Sequence, residues 1–209
     1  MTAIAADTVR PSITLCHHAD GMGNEADTFD DALARARSGD EAGFLQLWRE
    51  LHPCLLRYLR VLSSDDADDV ASETWLQVVR DLHRFDGGAD DFRCWLFTIG
   101  RHRAVDAARA RVRARGTLMA ADVDWVADGH LVEDQVLDYQ STRRAVALVA
   151  GLSRDQAEAV ALRVIAGLDT AAVARLLGKS PGAVRVALHR GLRVLAADPR
   201  LRALEEADR

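Results

Sequence analysis

Lysine is nearly absent from this chain: of its 27 lysine and arginine residues, only Lys179 is a lysine. Arginine forks phosphate oxygens better than lysine does, although genomic base composition produces the same bias. Cysteine is scarce too. Cys16, Cys54 and Cys94 are an odd set at no metal-ligand spacing, which argues against a disulfide framework. Cys54 and Cys94 read as small buried apolar residues. Cys16, His17 and His18 are adjacent on a polar tail and do not make a closed metal site, so neither a metal nor a cofactor is expected. Aromatics make up 5% of the chain, and no strand pattern or internal repeat appears. No apolar run is long enough to cross a bilayer. The N-terminus has no secretory apolar core, so a cytoplasmic protein is expected. No Ser-His-Asp set, P-loop or metal cluster is present. The chain is not expected to be an enzyme.

What is abundant is alanine, leucine, valine and arginine, a mix that favours helices. The 209 residues, 49% of them hydrophobic, suffice for one large or two small domains. The net charge of −5 hides a strong pattern. Residues 93–116 hold seven arginines against one acid, Asp106. Residues 120–140 hold six acids and no lysine or arginine, and 141–197 hold nine basic residues against Asp155, Glu158 and Asp169. Two basic blocks flanking an acidic connector suggest phosphate contacts more than a solvated face.

Periodicity predicts a short helix from Phe29, broken at Ser38-Gly39-Asp40. A longer helix over 41–62 follows, with Phe44, Leu47, Leu51, Leu55 and Leu59 as its stripe and Pro53 kinking or splitting it. The next helix starts near Ser63 and turns Ala67, Val70, Ala71, Thr74, Val78 and Leu82 inward. Residues 85–91 read as a Gly-rich loop, and 92–115 as a long helix ended by Gly116. A weakly helical stretch falls at 131–137, and helices are expected over 141–150 and 154–166. The result is an all-α chain. Residues 1–28 form a disordered N-terminal tail, with Met22 as a second candidate start. A helical domain spans 29–116, a flexible acidic linker 117–139, a second domain 140–197 and a C-terminal tail 198–209.

The sharpest local signal is DTAAVARLLGK followed by SPGAVRVALHRGLRVLA. Asp169 or Thr170 caps a helix, Gly178 supplies a left-handed turn, and Ser180-Pro181 restarts the helix. Val184, Leu188, Leu192 and Leu195 are expected to face inward, leaving Arg185, His189, Arg190 and Arg193 outside. A basic exposed helix behind a helix-turn suits the major groove; the bland alternative is a helical hairpin with a solvated cationic face. In the first domain, Asp65, Asp69, Glu73 and Gln77 share one polar helix face, which spacing alone assigns to solvent. Trp95, Leu96, Phe97 and Ile99 run straight into Arg101, His102, Arg103, Asp106 and Arg109. An aromatic beside a cationic helix suits unpaired DNA, stacking on a base while arginines track the backbone. Phe97 reads as core; Trp95 is open between core and stacking.

DADDVASETWLQVVRDL, FRCWLFTIGRHRAVDAARAR and LSRDQAEAVALRVIAGLDTAAVARLLGKSPGAVRVALHRGLRVL, in that order about an acidic linker, resemble the bacterial group IV, extracytoplasmic-function sigma factors over about residues 29–197. The resemblance implies a non-enzymatic subunit that joins core RNA polymerase and directs it to promoters. It implies that Asp69, Glu73 and Gln77 dock on the β′ clamp helices, with the β flap as a further contact. It implies that Trp95, Arg101, His102, Arg103, Asp106 and Arg109 melt and read the minus-ten element on the non-template strand, helped by the 85–91 loop. Ser180, Ala183, Arg185, Val186, His189 and Arg190 would read the minus-thirty-five duplex. The acidic linker would lie in the basic active-site cleft and RNA exit path. An anti-sigma factor is a further partner of such a subunit. The family's usual Asn is His102 here, which alters the donor and acceptor set offered to a base. The competing class is a conventional helix-turn-helix regulator with a helical sensing or dimerisation domain; it leaves the Trp95–Arg109 segment and the acidic linker unexplained.

Overall fold

A computed structural model of the chain describes residues 25–63, 65–114 and 137–201. Residues 1–24 of the expected 1–28 tail, most of the acidic linker, all but the last residue of the helical tendency at 131–137 and the stop at Gly116 lie outside the described residues. Within those residues every regular element is helical.

The first four helices build one unit. Helix α1 (Glu25–Arg37) starts ahead of the Phe29 expected for it. Asp40 then caps α2 (Glu41–Leu62), accepting from the Ala42 amide at 3.0 Å. Pro53 does not split α2, which runs unbroken through it. Leu47, Leu51, Leu55 and Leu59 are buried as the stripe predicts, and Phe44 packs edge-on against Trp75. Helix α3 (Ala67–Asp81) buries Ala67, Val70, Ala71, Thr74 and Val78, with Trp75 added. The Thr74 hydroxyl is buried and donates to the Val70 carbonyl at 2.7 Å, which satisfies it. A short 3₁₀ turn, Leu82–Arg84, leads to α4 (Ala89–Ala114). The loop is therefore shorter than the expected 85–91, because residues 89–91 already form the first turn of α4.

The second unit holds α5 (Leu137–Ala150), α6 (Arg154–Val160), α7 (Thr170–Leu177) and α8 (Pro181–Ala197). The helix expected over 154–166 changes character midway: Ala161–Ile165 is a π-turn, closed by the Ala166 amide on the Ala161 carbonyl. The predicted inward stripe of α8 needs one correction. Val184 is fully buried and Leu188 and Leu195 are half-buried, but Leu192 is 44% exposed. Its place is taken by Gly191, where a Cβ would lie 2.8 Å from Val160 Cγ2 and 3.3 Å from Gln156 Cβ. The missing side chain lets α8 lie against α6, which rotates Leu192 outward.

The two units are packed together. Helix α2 meets α5, α6 and the π-turn, and α4 meets α7. Buried residues of both form one apolar cluster, from Leu55 and Phe97 to Leu162, Val173 and Val184.

Candidate nucleic-acid interface

The turn between α7 and α8 is built as the sequence predicts. Asp169 accepts from the Ala172 amide at 2.6 Å and caps α7. Gly178 ends it at φ +64°, a conformation that side chains resist. The Ser180 hydroxyl accepts from the Ala183 amide at 3.2 Å, and Pro181 opens α8. The cap fixes where α8 begins, and so which residues point outward. Ser180, Ala183, Arg185, Val186, His189 and Arg190 are all exposed, as is Arg193. Val186 stands among the cations with 49% of its surface open. Arg185, His189, Arg190 and Arg193 have no hydrogen-bond or ion-pair partner among the described residues. This face carries uncompensated positive charge.

The α4 face differs. Trp95 is half-buried, stacked on Phe85 with ring centroids 5.0 Å apart and flanked by Phe92 at 5.8 Å. Phe97 is core, as expected, edge-on to Tyr58 at 5.4 Å. Phe85 belongs to the loop before α4, so loop and indole form one aromatic patch. Asp30 of α1 caps α4 from a distance in sequence, accepting from the Ala89 amide at 2.8 Å. The arginines behind Trp95 are mostly engaged. Arg101 Nε donates to Glu158 of α6 at 3.0 Å. Arg103 donates twice to Gln77 Oε1, at 2.9 and 3.1 Å, and lies 3.6 Å from Glu73. Arg109 pairs with Asp106 at 3.7 Å, both exposed. Arg111 ties the end of α4 to the α2–α3 turn through Asp66 at 2.8 Å and the Ser63 hydroxyl at 2.7 Å. His102 is exposed. The sequence suggests a free cationic ladder on α4; the structure shows one largely neutralised by its neighbours.

The acidic face of α3 lies beside it. Asp69 and Glu73 are exposed and Gln77 is half-buried under Arg103. Sequence reasoning passed over Leu76 and Val79, which are 59% and 56% exposed. Their signal was present: both fall off the inward stripe of Val70, Thr74 and Val78, so a helix burying that stripe must turn them to water. Exposed apolar residues interleaved with acids make a better docking face than acids alone.

Burial and charge also act nearby. His52 stacks on Trp48 at 4.6 Å, and burial lowers its pKa below the usual imidazole value, with Asp68 opposing and Arg60 adding to the shift. Burial pushes the Tyr58 phenol well above its usual value, and the Glu158 carboxylate pushes the same way. Among the described residues, no group of His, Cys, Asp and Glu side chains is arranged to hold a metal ion, and no helix is long and apolar enough to cross a membrane.

Comparison with known proteins agrees with this layout. Residues 44–114 match the family model of Sigma-70 region 2, and residues 142–195 that of Sigma-70, region 4. The chain is 34% identical over 182 residues to the ECF RNA polymerase sigma factor ShbA of Streptomyces griseus, covering 82% of this chain and 92% of that one. It is 30% identical over 194 residues to SigD of Mycobacterium tuberculosis, covering 90% and 87%. It is 32% identical over 173 residues to BldN of Streptomyces coelicolor, covering 79% of this chain and 64% of that protein. Among solved structures, CnrH in complex with the cytosolic domain of CnrY is similar with a TM-score of 0.56 at 26% identity, covering 88% of this chain and all of that one. RpoE of Bartonella quintana, bound to the anti-sigma factor NepR, gives 0.55 at 25%, covering 79% and 98%. With both regions matched in order, and relatives of this identity aligned over most of its length, the chain belongs to the extracytoplasmic-function RNA polymerase sigma factors, subunits that direct promoter-specific transcription initiation.

Proposed function

We propose a division of labour within this sigma factor, carried by one observation: among the described residues the cations of α8 are exposed and unpaired, whereas Arg101, Arg103, Arg109 and Arg111 of α4 are held by acids, Gln77 and Ser63 of the same chain. The α8 face supplies duplex affinity at the minus-thirty-five element. Arg185 and Arg190 contact base edges or phosphates, Ser180 and Ala183 sit at the helix start close to the backbone, and His189 reads a base. Val186 offers an apolar contact for a thymine methyl. The α4 face acts later, on melted DNA. Trp95 and Phe85 present an aromatic surface for an unpaired minus-ten base. Arg101, His102, Arg103, Asp106 and Arg109 line the strand path.

The α3 face, Asp69, Glu73 and Gln77 with Leu76 and Val79, docks on the β′ clamp helices, and the second unit meets the β flap. The acidic linker lies in the polymerase cleft. The protein works in the cytoplasm, by binding energy and without covalent chemistry. An anti-sigma factor is proposed as a further partner, supported by the structural neighbour RpoE, captured with the anti-sigma factor NepR. Two modest DNA contacts on one tether gain from effective concentration. The overall charge of −5 keeps the free chain from binding DNA well by itself.

Run-off transcription tests this reading. Core polymerase plus this chain gives discrete transcripts from promoters that core alone ignores. Footprints on those templates extend over both elements. A conventional regulator gives the opposite pattern: a footprint without core and no new start sites.

A further inference from the structure

The C-terminal end of α8 carries a groove that duplex binding does not use. Gln156 of α6 and Arg190, Arg193 and Val194 of α8 line it, and Asp198 and Pro199 close one end. It lies where Gly191, lacking a side chain, lets α8 rest on Gln156 and Val160. Its volume of about 560 Å³ leaves room for several side chains. Val194 is 53% exposed. Arg193 is exposed and has no hydrogen-bond or ion-pair partner among the described residues, and the contacts proposed above give it no role. Arg190 belongs both to this groove and to the face that meets the duplex. The nearby acids do not neutralise these cations. Asp198 accepts from Arg200, from Nη2 at 2.8 Å, from Nε at 3.1 Å and from the amide at 2.9 Å. Asp155 is paired with Lys179. An exposed valine beside two unpaired arginines suits a short acidic segment that carries one apolar side chain.

The chain itself supplies such a segment. Helix α8 stops at Asp198, whose backbone is extended at φ −76° and ψ 121°, because the residue before a proline is pushed out of the helical region. One further turn, closed by the Leu201 amide on the Asp198 carbonyl at 3.1 Å, then redirects the chain beside the groove. Residues 202–209, RALEEADR, follow outside the described residues; positions 203–208 hold Leu204, Glu205, Glu206 and Asp208 and no base. Arg190 lies only ~12 Å back along α8 from Asp198, at ~1.5 Å per residue. Residues 202–209 reach ~27 Å when extended, at ~3.4 Å each. Length and charge both allow the segment to return along the groove.

We propose that residues 202–209 dock in this groove, with Leu204 against Val194 and the acids on Arg190 and Arg193, so that the segment competes with duplex DNA for Arg190. The competition rests on the proposed placement of α8 on the minus-thirty-five duplex; the docking does not. A duplex that engages Arg190 must first displace the acids, and its apparent affinity is lowered by the fraction of chain in which the groove is filled. Arg193 and Val194 thereby have a partner that the DNA contacts leave them without.

The test compares the full chain with one ending at Leu201 and with a full-length chain carrying Glu205→Gln, Glu206→Gln and Asp208→Asn. NMR resonances of Gln156, Arg190, Arg193 and Val194 report on the groove, and fluorescence anisotropy with a minus-thirty-five duplex reports on DNA. Both altered chains are expected to shift those resonances, by the same amount at low and high chain concentration. Exposed ion pairs each contribute little, so duplex binding is expected to tighten by about three- to tenfold in both. Groove resonances that ignore both changes overturn the docking. Shifts that grow with chain concentration assign the groove to the same segment of a second copy and overturn the internal contact. Shifts without tighter duplex binding, in a chain whose duplex affinity falls on Arg190→Ala, overturn the competition. Failure of the α8 placement looks different: Arg190→Ala then leaves duplex affinity unaltered even in the chain ending at Leu201, and the resonances alone decide the docking.

Discussion

Arginine 190 on α8 lends itself to a quantitative test. It is exposed and has no partner among the described residues, so Arg190→Ala breaks no ion pair and leaves no buried charge. Its effect on folding stability is expected to stay within about 0.5 kcal/mol. On DNA the loss is separable into two kinds. If Arg190 reads a base, removal costs about 1–3 kcal/mol, roughly 5- to 150-fold, and relaxes preference at one position of the upstream element. If it meets a phosphate, every upstream sequence weakens alike, and the slope of log affinity against log salt flattens by about 0.9. The assay is holoenzyme binding to a panel of promoters varied one upstream pair at a time, repeated over a salt series, with Arg185→Ala alongside. Arg109→Ala on α4 is the contrast. It uncovers the charge of Asp106, 3.7 Å away, so its defect should appear in promoter opening rather than upstream affinity. An Arg190→Ala holoenzyme that keeps the parent's affinity, preference and salt slope on every promoter refutes the assignment of α8 to the duplex.

Three further outcomes are expected. Asp69→Arg should weaken core binding without lowering the melting temperature; it is a cleaner probe than Glu73→Arg, because Glu73 already faces Arg103 at 3.6 Å. Unchanged core affinity would return that face to solvent. Trp95→Ala should cut open-complex formation about tenfold, since stacking contributes about 1–3 kcal/mol per base, and a pre-melted bubble should restore part of it. A defect that the bubble leaves untouched, with a lowered melting temperature, would make Trp95 a packing partner of Phe85 and no more. His52 has its pKa lowered in the fold, so the unfolded chain takes up the proton first. Stability is then full above about pH 6.5 and drains as the pH falls through that value toward the folded pKa. His52→Phe should flatten the melting temperature between pH 7 and 5.5, and an unaltered pH profile would refute this.

Much of the fold was legible because it depends on neighbours in sequence. The stripe of α2, the inward face of α3 and the Asp169–Gly178–Ser180 punctuation all follow from local spacing and backbone preference. What escaped depends on residues far apart. Leu192 satisfies the helical period, yet Gly191 faces α6, because the approach of Val160 and Gln156 decides which side of α8 is inside. Glu158 sits in a polar stretch that reads as solvent-facing; its burial is compensated by Arg101, from another helix, together with Arg154 of its own. The arginines of α4 looked free because Gln77 and Glu158 are not their sequence neighbours. The site residues were therefore nameable from the chain, but their state of engagement was not.

The double hydrogen bond from Arg103 to Gln77 bears on how genetics in this protein should be interpreted. A side chain assigned to the DNA path is held in place by one assigned to the polymerase contact. A Gln77 lesion would then release Arg103 and yield a promoter-opening phenotype in a residue that touches no DNA. Suppressors of such a lesion would map to α4, on the other side of the functional divide. Screens that sort alleles by phenotype alone would file them under the wrong partner.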